Sequence, residues 1–444
     1  VLRTTIAALA GKAARRAARL RGGGSGGSAL PGLVAEKIDP GFLGNTLGGM
    51  PDGIVVVSGT NGKTTTTKML VAIMRAHGKR VFTNPTGSNF TRGVISAMLP
   101  ELSGRSGGLD ADIAILELDE AHALHFGRAV APTHALLLNV ARDQLDRFAE
   151  IDQTAGLLTT LASMTTKGVV LNRDDPYVNR IASTLGAGIG VGWFGLGESV
   201  GHRIEELQEH DARAHEDWSP PPAGLGDALL DPVDDTQLVV RLGPDAVGPV
   251  TLRQRGLAAM INATAATATA RMLLGGAFDV AAAEQALRTV APPFGRGEVI
   301  DVDGTPLELV LVKNPAGFTV ALGTYESTPA ATMIAINDDY ADGRDVSWLY
   351  DVSFESLREK GVALTSGVRG WDMALRLDYD DVPVGGTEVD LAAALERFLA
   401  EHRGEPKRIF TSYTAMLTLR RLLGERYDLP EMGVDAPGTK GADA

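Results

Sequence analysis

Residues 57–66 read Val57-Ser58-Gly59-Thr60-Asn61-Gly62-Lys63-Thr64-Thr65-Thr66. An apolar run, GIVVV (53–57), precedes them, and an amphipathic stretch, KTTTTKMLVAIMRAHG (63–78), follows. That order predicts a buried strand, a glycine-bounded turn and a helix stopped by Gly78. Such a turn aims backbone N–H groups at a phosphate, and the helix N-terminus adds a favourable dipole. Lys63 brings a mobile positive charge, and the Thr64 hydroxyl is placed to ligate magnesium. The usual phosphate-loop pattern, G-x-x-x-x-G-K-[ST], asks for glycine at position 57, where this chain has Val57. The plainer alternative is a tight turn capped by threonines. The position between a strand and a helix favours nucleotide binding.

Outward from the loop, short apolar segments alternate with helical ones. RVFTN (80–84), DIAILEL (112–118), THALLLN (133–139) and GVVLN (168–172) read as strands, and GLAAMINATAATATARMLLGG (256–276) as an Ala-rich helix. The alternation predicts a parallel sheet covered by helices on both faces. A second alternating run starts near 297–305. Its strands are LELVLVK (307–313), ATMIAIN (331–337), GVALTSG (361–367) and PKRIFTS (406–412), and its helices AALERFLAEH (393–402) and TAMLTLRRLLGE (414–425). Between the two runs, 197–250 is charged and rich in Pro and Gly, and reads as an insertion or small subdomain. The expected division is therefore a basic helix and Gly-rich segment (1–50), a central ATP-binding α/β domain (51–298), a C-terminal Rossmann-like α/β domain (299–428) and a disordered tail (429–444).

Whole-chain properties narrow the function. The 444 residues allow two or three domains, and the net charge of −13 speaks against a nucleic-acid binder. Aromatic residues make up only 5%, too few for base-stacking platforms. There is no cysteine, so these residues form no disulfide and carry neither a thiolate zinc site nor a thiol nucleophile. No run reads as the roughly 20 apolar residues of a membrane span. At the start, Lys12, Arg15, Arg16, Arg19 and Arg21 follow a short apolar run, the reverse of a signal peptide. The segment reads either as a basic amphipathic helix before a flexible loop or, more sharply, as a weak contact with an anionic membrane surface.

Magnesium requires a carboxylate partner. ILELDE (115–120) ends a strand with Glu117 and Asp119, which a continuing strand would project from one face, at the sheet end where doubly wound folds bind ligands. A solvated acidic cap is the alternative, and the neighbouring phosphate loop outweighs it.

SGTNGKTTT (58–66) resembles the form found in Mur ligases and folylpolyglutamate synthases, ATP-dependent amide-forming ligases whose G-T-N-G-K-T loop requires no earlier glycine. Further stretches are similar to the MurT family, the ligase-like subunits of lipid II isoglutaminyl synthases: NPTGSNFTRGVISAML (84–99), ELDEA (117–121), NVARDQLDRFAEID (139–152), LNRDDP (171–176), PPFGRGE (292–298), KNPAGF (313–318) and NDDYADGRDVSWLYDVSFE (337–355). The likeness runs from about residue 10 to about 425. It implies a heterodimer with a GatD-like glutaminase subunit. Such pairs amidate the α-carboxyl of D-glutamate in the lipid II stem peptide, at the expense of ATP and glutamine. It also implies a cytoplasmic protein, with contact at the inner face of the plasma membrane as a further expectation.

Carried over by position, the resemblance makes Lys63 the phosphate lysine and Thr64, with Glu117, the Mg2+ ligands. Thr60, Asn61, Gly62 and Thr65 complete the loop, Asn262 stands on the adenine side, and Arg296 of the G-R-x-E stretch lies near the phosphates. Asp351 resembles the aspartate that reaches into the partner's glutaminase site, with Asp345 the competing choice. Read from the residues alone, Arg296 could be a surface arginine in a hinge, Asn262 a polar residue within helix packing and Asp351 a helix cap. There are departures. Gln144 stands where Mur ligases place a histidine, no lysine stands where many carry a carbamylated one, and Ala259 replaces an earlier asparagine. Many MurT proteins carry a four-cysteine zinc ribbon. This chain has 197–250 in that place, with His202, His210 and His215, and no zinc is expected.

The chemistry agrees with this set of residues. A carboxylate accepts ammonia only after activation, and phosphoryl transfer from ATP makes an acyl phosphate with a good leaving group. Lys63, Arg296 and a magnesium ion on Thr64 and Glu117 suit that step. Glutamine hydrolysis commonly needs a thiolate and a histidine, so if glutamine is the source of ammonia, another polypeptide must bring the nucleophile to this chain without cysteine. Two alternatives remain at this stage: a folylpolyglutamate-type ligase of the same fold, and a nucleotide-binding scaffold without chemistry.

Overall fold

In the computed structural model, residues 2–20, 29–84, 90–102, 108–141, 151–203 and 220–429 are described. These described residues form two sheets. The first has nine strands: β1 (Gly53–Ser58), β2 (Val81–Thr83), β3 (Ile113–Glu117), β4 (His134–Leu137), β5 (Gly168–Asn172), β6 (Gly190–Leu196), β7 (Ala228–Pro232), β8 (Gln237–Leu242) and β9 (Asp245–Thr251), in the order β2-β3-β1-β4-β5-β6-β7-β8-β9. Pairing is parallel as far as β7 and antiparallel from β7 to β9.

Alternation along the strands builds two cores. Val55, Val57, Ile113, Ile115 and Leu136 face a cluster with the helices Lys63–Ala76 and Leu257–Leu274. Ile54, Val56, Ala114, Leu116 and Leu137 face the other side, packed by Phe42–Leu47, Thr91–Glu101, Glu120–Ala129 and Ile151–Ser163. Val57, the residue in place of the expected glycine, is fully buried and paired with Glu117 on one side and Leu136 on the other. The strand runs through position 57, so the turn needs glycine only from 59 onward.

The reading of 197–250 is corrected. Residues 228–251 are strands β7 to β9 and extend the central sheet. Their alternation was obscured by the loops around them. Of the three histidines there, His202 lies in the 3-10 turn Glu198–Arg203, while His210 and His215 fall outside the described residues, as does Gln144. The helix Leu257–Leu274 also departs from expectation: by length and composition it is apolar enough to cross a membrane. Here it is the central helix of the domain, and Thr264, Thr267 and Thr269 return their hydroxyl protons to the carbonyls of Met260, Ala263 and Ala265. Those bonds let it bury hydroxyls without loss.

The second sheet has six strands: β10 (Arg296–Val302), β11 (Thr305–Leu311), β12 (Ala331–Ala335), β13 (Leu364–Ser366), β14 (Thr387–Glu388) and β15 (Lys407–Thr411), in the order β10-β11-β15-β12-β13-β14. Only β10 is antiparallel to its neighbour. The sequence shows no clear strand at β10; in the structure Arg296 is the first residue of that strand. Buried ion pairs brace this part: Arg408 on Glu308 at 2.6 Å links the neighbouring strands β15 and β11, and Arg420 on Glu298 at 2.9 Å ties the helix Tyr413–Gly424 to β10.

The helix Leu2–Leu20 lies on the central domain. Its Thr4 hydroxyl donates to Asp39 Oδ2 at 2.8 Å, Lys12 Nζ donates to the Leu102 carbonyl at 3.0 Å, and Ala7 and Ala8 are buried.

Candidate functional site

The turn after β1 is clamped by the segment after β4. Asn61 N donates to Asn139 Oδ1 at 2.8 Å, and Asn139 Nδ2 donates back to Asn61 O at 3.0 Å. Thr60 N donates to Asn139 O at 3.0 Å, and the Thr60 hydroxyl accepts from Ala141 N at 3.1 Å. Gly62, at φ 87°, caps the helix Lys63–Ala76. A Cβ at 62 would stand 2.3 Å from Asn262 Oδ1, so the glycine is required both by backbone angle and by the close approach of Asn262.

Lys63 and Thr64 begin the helix and are buried. Lys63 Nζ donates to Gly59 O at 2.5 Å and lies 3.3 Å from Thr60 O and 3.4 Å from Glu120 Oε1. The Thr64 hydroxyl donates to Glu117 Oε1 at 2.9 Å. Asn84 fixes the backbone of Glu117, accepting from Glu117 N at 2.9 Å and donating to the Glu117 carbonyl at 2.8 Å. The two expected magnesium ligands are thus adjacent hard oxygen donors at a helix N-terminus. No group of three or more His, Asp or Glu able to hold a metal occurs among the described residues. Magnesium does not need one, since it binds through one or two protein oxygens and keeps several waters. The residues fit that ion.

Asp119 departs from expectation. Strand β3 ends at Glu117, so Asp119 no longer shares its face. It is the N-cap of Glu120–Ala129, accepting from Ala121 N at 3.3 Å. Glu120, which the sequence did not single out, takes the place near Lys63 instead.

Above the loop, a cleft between the two sheets is lined by Asn61, Gly62, Thr65, Asn262 and Arg296. Burial lowers the pKa of Arg296, opposed by the nearby Glu117 carboxylate and the Tyr413 phenol. Tyr413 in turn is raised by burial, with Arg296 working against the rise. The C-terminal part closes the cleft through Asn314, whose Nδ2 donates to Asn61 Oδ1 at 3.1 Å while its own Oδ1 caps the helix Pro315–Tyr325 by accepting from Gly317 N at 2.8 Å. Asn84, Asn139 and Asn314 hold roles here that the sequence pattern does not assign. Their polar amides beside a glycine turn are the signal that could have found them.

Two expected residues do not join this group. Asp351 is exposed at the end of the 3-10 turn Ser347–Asp351, and Asp345 is exposed, accepting from Ser347 N at 2.8 Å; the Ser347 hydroxyl and this N–H together hold its carboxyl below the usual range. Neither lines the cleft.

Asp174 and Asp175 also line the cleft. Burial pushes each carboxyl up to about 6, against backbone hydrogen bonds from Leu196 N to Asp174 and from Val140, Tyr177 and Val178 N to Asp175. A folded-state pKa above the unfolded value means folding takes up a proton, so stability from Asp174 is lost as pH rises from about 4 through about 6. Asp174→Asn removes that loss. Its stability gain over the unaltered chain, read by urea unfolding, should be near zero at pH 4, grow to pH 6 and level off above it. A gain independent of pH would contradict the assignment.

The middle of the chain, residues 57–270, matches the family model of the Mur ligase middle domain, and residues 311–416 match that of the MurT ligase C-terminal domain. The lipid II isoglutaminyl synthase (glutamine-hydrolyzing) subunit MurT of Streptococcus pneumoniae is 31% identical, with 96% of this chain and 98% of that one covered. The subunit of the same name from Staphylococcus aureus is 27% identical, over 84% and 87%. Among solved structures, the MurF ligase of Thermotoga maritima in complex with ADP superposes with a TM-score of 0.63 at 16% identity, covering 86% of this chain and 81% of that one, which shows a shared fold. With both domains matched and a relative covered nearly end to end, the chain belongs to the MurT family, whose middle domain is that of the Mur ligases.

Proposed function

We propose that this protein is the ATP-consuming subunit of a glutamine-hydrolysing enzyme that amidates the D-glutamate α-carboxyl of the lipid II stem peptide, giving D-isoglutamine. The observation that carries the reading is the cluster at the start of the helix Lys63–Ala76, next to the cleft-lining Gly62 and Thr65: Lys63 on its own loop, Thr64 against Glu117, and Arg296 near enough to feel the same carboxylate. Support comes also from the relatives' names, which give a glutamine-hydrolyzing enzyme and call this type of chain a subunit, and from the ADP in the Thermotoga maritima fold relative.

An acceptor carboxylate oxygen attacks the γ-phosphorus of ATP, and ADP leaves. The product is an acyl phosphate. Ammonia then attacks its carbonyl carbon, the C–O bond to phosphate breaks, and inorganic phosphate leaves with the amide formed. Bound Mg2+ would supply neutralisation of the phosphate oxygens, held by Thr64 and Glu117. Lys63 exchanges the Gly59 and Thr60 carbonyls for phosphate oxygens. Arg296, its guanidinium stripped of much of its water, offers its charge where the transferring group becomes most negative. Asn262 and Gly62 fix the nucleotide's position along the loop.

Ammonia comes from a GatD-like glutaminase, since this chain contains no cysteine. An apolar face near Asp351 suits such a partner. Trp371, Leu375 and Tyr379 recur at helical spacing on Gly370–Tyr379 and are exposed, and the Tyr379 ring meets that of Tyr350, the neighbour of Asp351. Asp351 orients the partner's catalytic histidine in this reading.

The test is amidation of lipid II by the purified pair, followed by mass spectrometry with ATP and either glutamine or ammonium as nitrogen source. Lys63→Ala should lower amidation from both sources by about 10²-fold or more. Full amidation by that variant would favour a scaffold without chemistry. Asp351→Asn should lower the glutamine-driven reaction by about 10²-fold or more, as loss of an orienting aspartate does in a triad, and leave the ammonium-driven one intact. Equal loss from both sources would remove Asp351 from the partner's site.

A further inference from the structure

The helix Leu2–Leu20 carries Arg3, Lys12, Arg15, Arg16 and Arg19 and no acidic residue, in a chain of net charge −13. One face is packed on the central domain through Thr4, Ala7, Ala8 and Gly11. The opposite face is open. Leu2 is 76%, Ile6 50% and Leu9 63% exposed, and they follow one another at four and three residues, a single stripe on a helix. Ala13 and Arg16 continue the stripe and are exposed as well. Most large apolar side chains of the described residues pack into four cores, whereas these three stand in solvent on one stripe of the most basic helix.

We propose that this face docks on an anionic phospholipid surface, with Leu2, Ile6 and Leu9 entering the boundary between headgroups and acyl chains and Arg16, exposed on the same stripe, against the lipid phosphates. The arrangement is that of a helix lying in the plane of an interface. The charge fits a negative surface and no other part of this acidic chain does so as a continuous run. The buried face already holds the helix, so docking requires no release from the domain. A surface-bound enzyme meets a lipid-linked acceptor by diffusion in two dimensions, but the proposal stands on the helix alone and is tested without the reaction.

The full chain is mixed with vesicles of phosphatidylglycerol and phosphatidylcholine, or of phosphatidylcholine only, and the bound fraction read by flotation. Binding should favour the anionic vesicles by about fivefold for each basic residue at the surface, and fall with salt. Ile6→Gln with Leu9→Gln should lower it at least tenfold (about the value of withdrawing one buried aliphatic side chain). Arg16→Glu should lower it on anionic vesicles only. All three positions are exposed, so the thermal midpoint should stay unchanged. No vesicle binding by the unaltered chain, or equal binding by the Ile6→Gln/Leu9→Gln variant, overturns the proposal. So does self-association that this variant abolishes without any binding to vesicles, which would assign the stripe to a second copy.

Discussion

Asn139 holds the phosphate loop in place, and the site depends on that hold. Its amide pairs with both the N–H and the carbonyl of Asn61, as a strand residue would, but in a segment where no strand continues. With Asn61 fixed, Gly62 is forced to positive φ, the helix Lys63–Ala76 starts at a set point, and Thr64 arrives opposite Glu117. With its side chain, Asn61 also receives Asn314 from the C-terminal part of the chain. The same turn, residues 59–62, therefore sets the position of Thr64 in one domain and receives the closure of the other. A loop held in this way loses little entropy on gripping a phosphate, which is where preorganised sites obtain much of their advantage.

The β1–loop–helix unit was legible because three local signals coincide there: an apolar run, glycines and an amphipathic continuation. Val57 looked like an exception and is the end of that apolar run, buried between two neighbouring strands. Glu117 was legible from its place at a strand end. Asp119 was misjudged because the strand stops two residues earlier, and a helix cap competes for a short acidic side chain. The roles of Asn84, Asn139, Asn314 and Glu120 arise only when distant segments meet. Sequence separations of 33, 78 and 253 residues carry no local pattern.

Strands β7 to β9 and β10 escaped for a different reason. They lie among charged and Gly/Pro-rich loops that break any window long enough to show period two, and their support comes from neighbours in the sheet. Tertiary pairing outweighs weak local preference in such edge segments. The exposed stripe on Leu2–Leu20 is the converse case. Its amphipathic pattern was plain, but which face packs on the domain depends on Thr4 meeting Asp39 and Gly11 meeting Leu99. Only then do Leu2, Ile6 and Leu9 stand out as uncovered.

Lys63 links the resting geometry to the reaction. Its ammonium now satisfies carbonyls of its own loop and approaches Glu120, a compact arrangement that a phosphate must displace. The most direct measurement is the crystal structure of the chain with magnesium and a non-hydrolysable ATP analogue. The account predicts β- and γ-phosphates against the backbone of 59–63, Lys63 Nζ moved from Gly59 O onto phosphate oxygen, and the metal between Thr64 and Glu117. A nucleotide bound elsewhere, with Lys63 still on Gly59 O and Thr64 still bonded to Glu117, would contradict it.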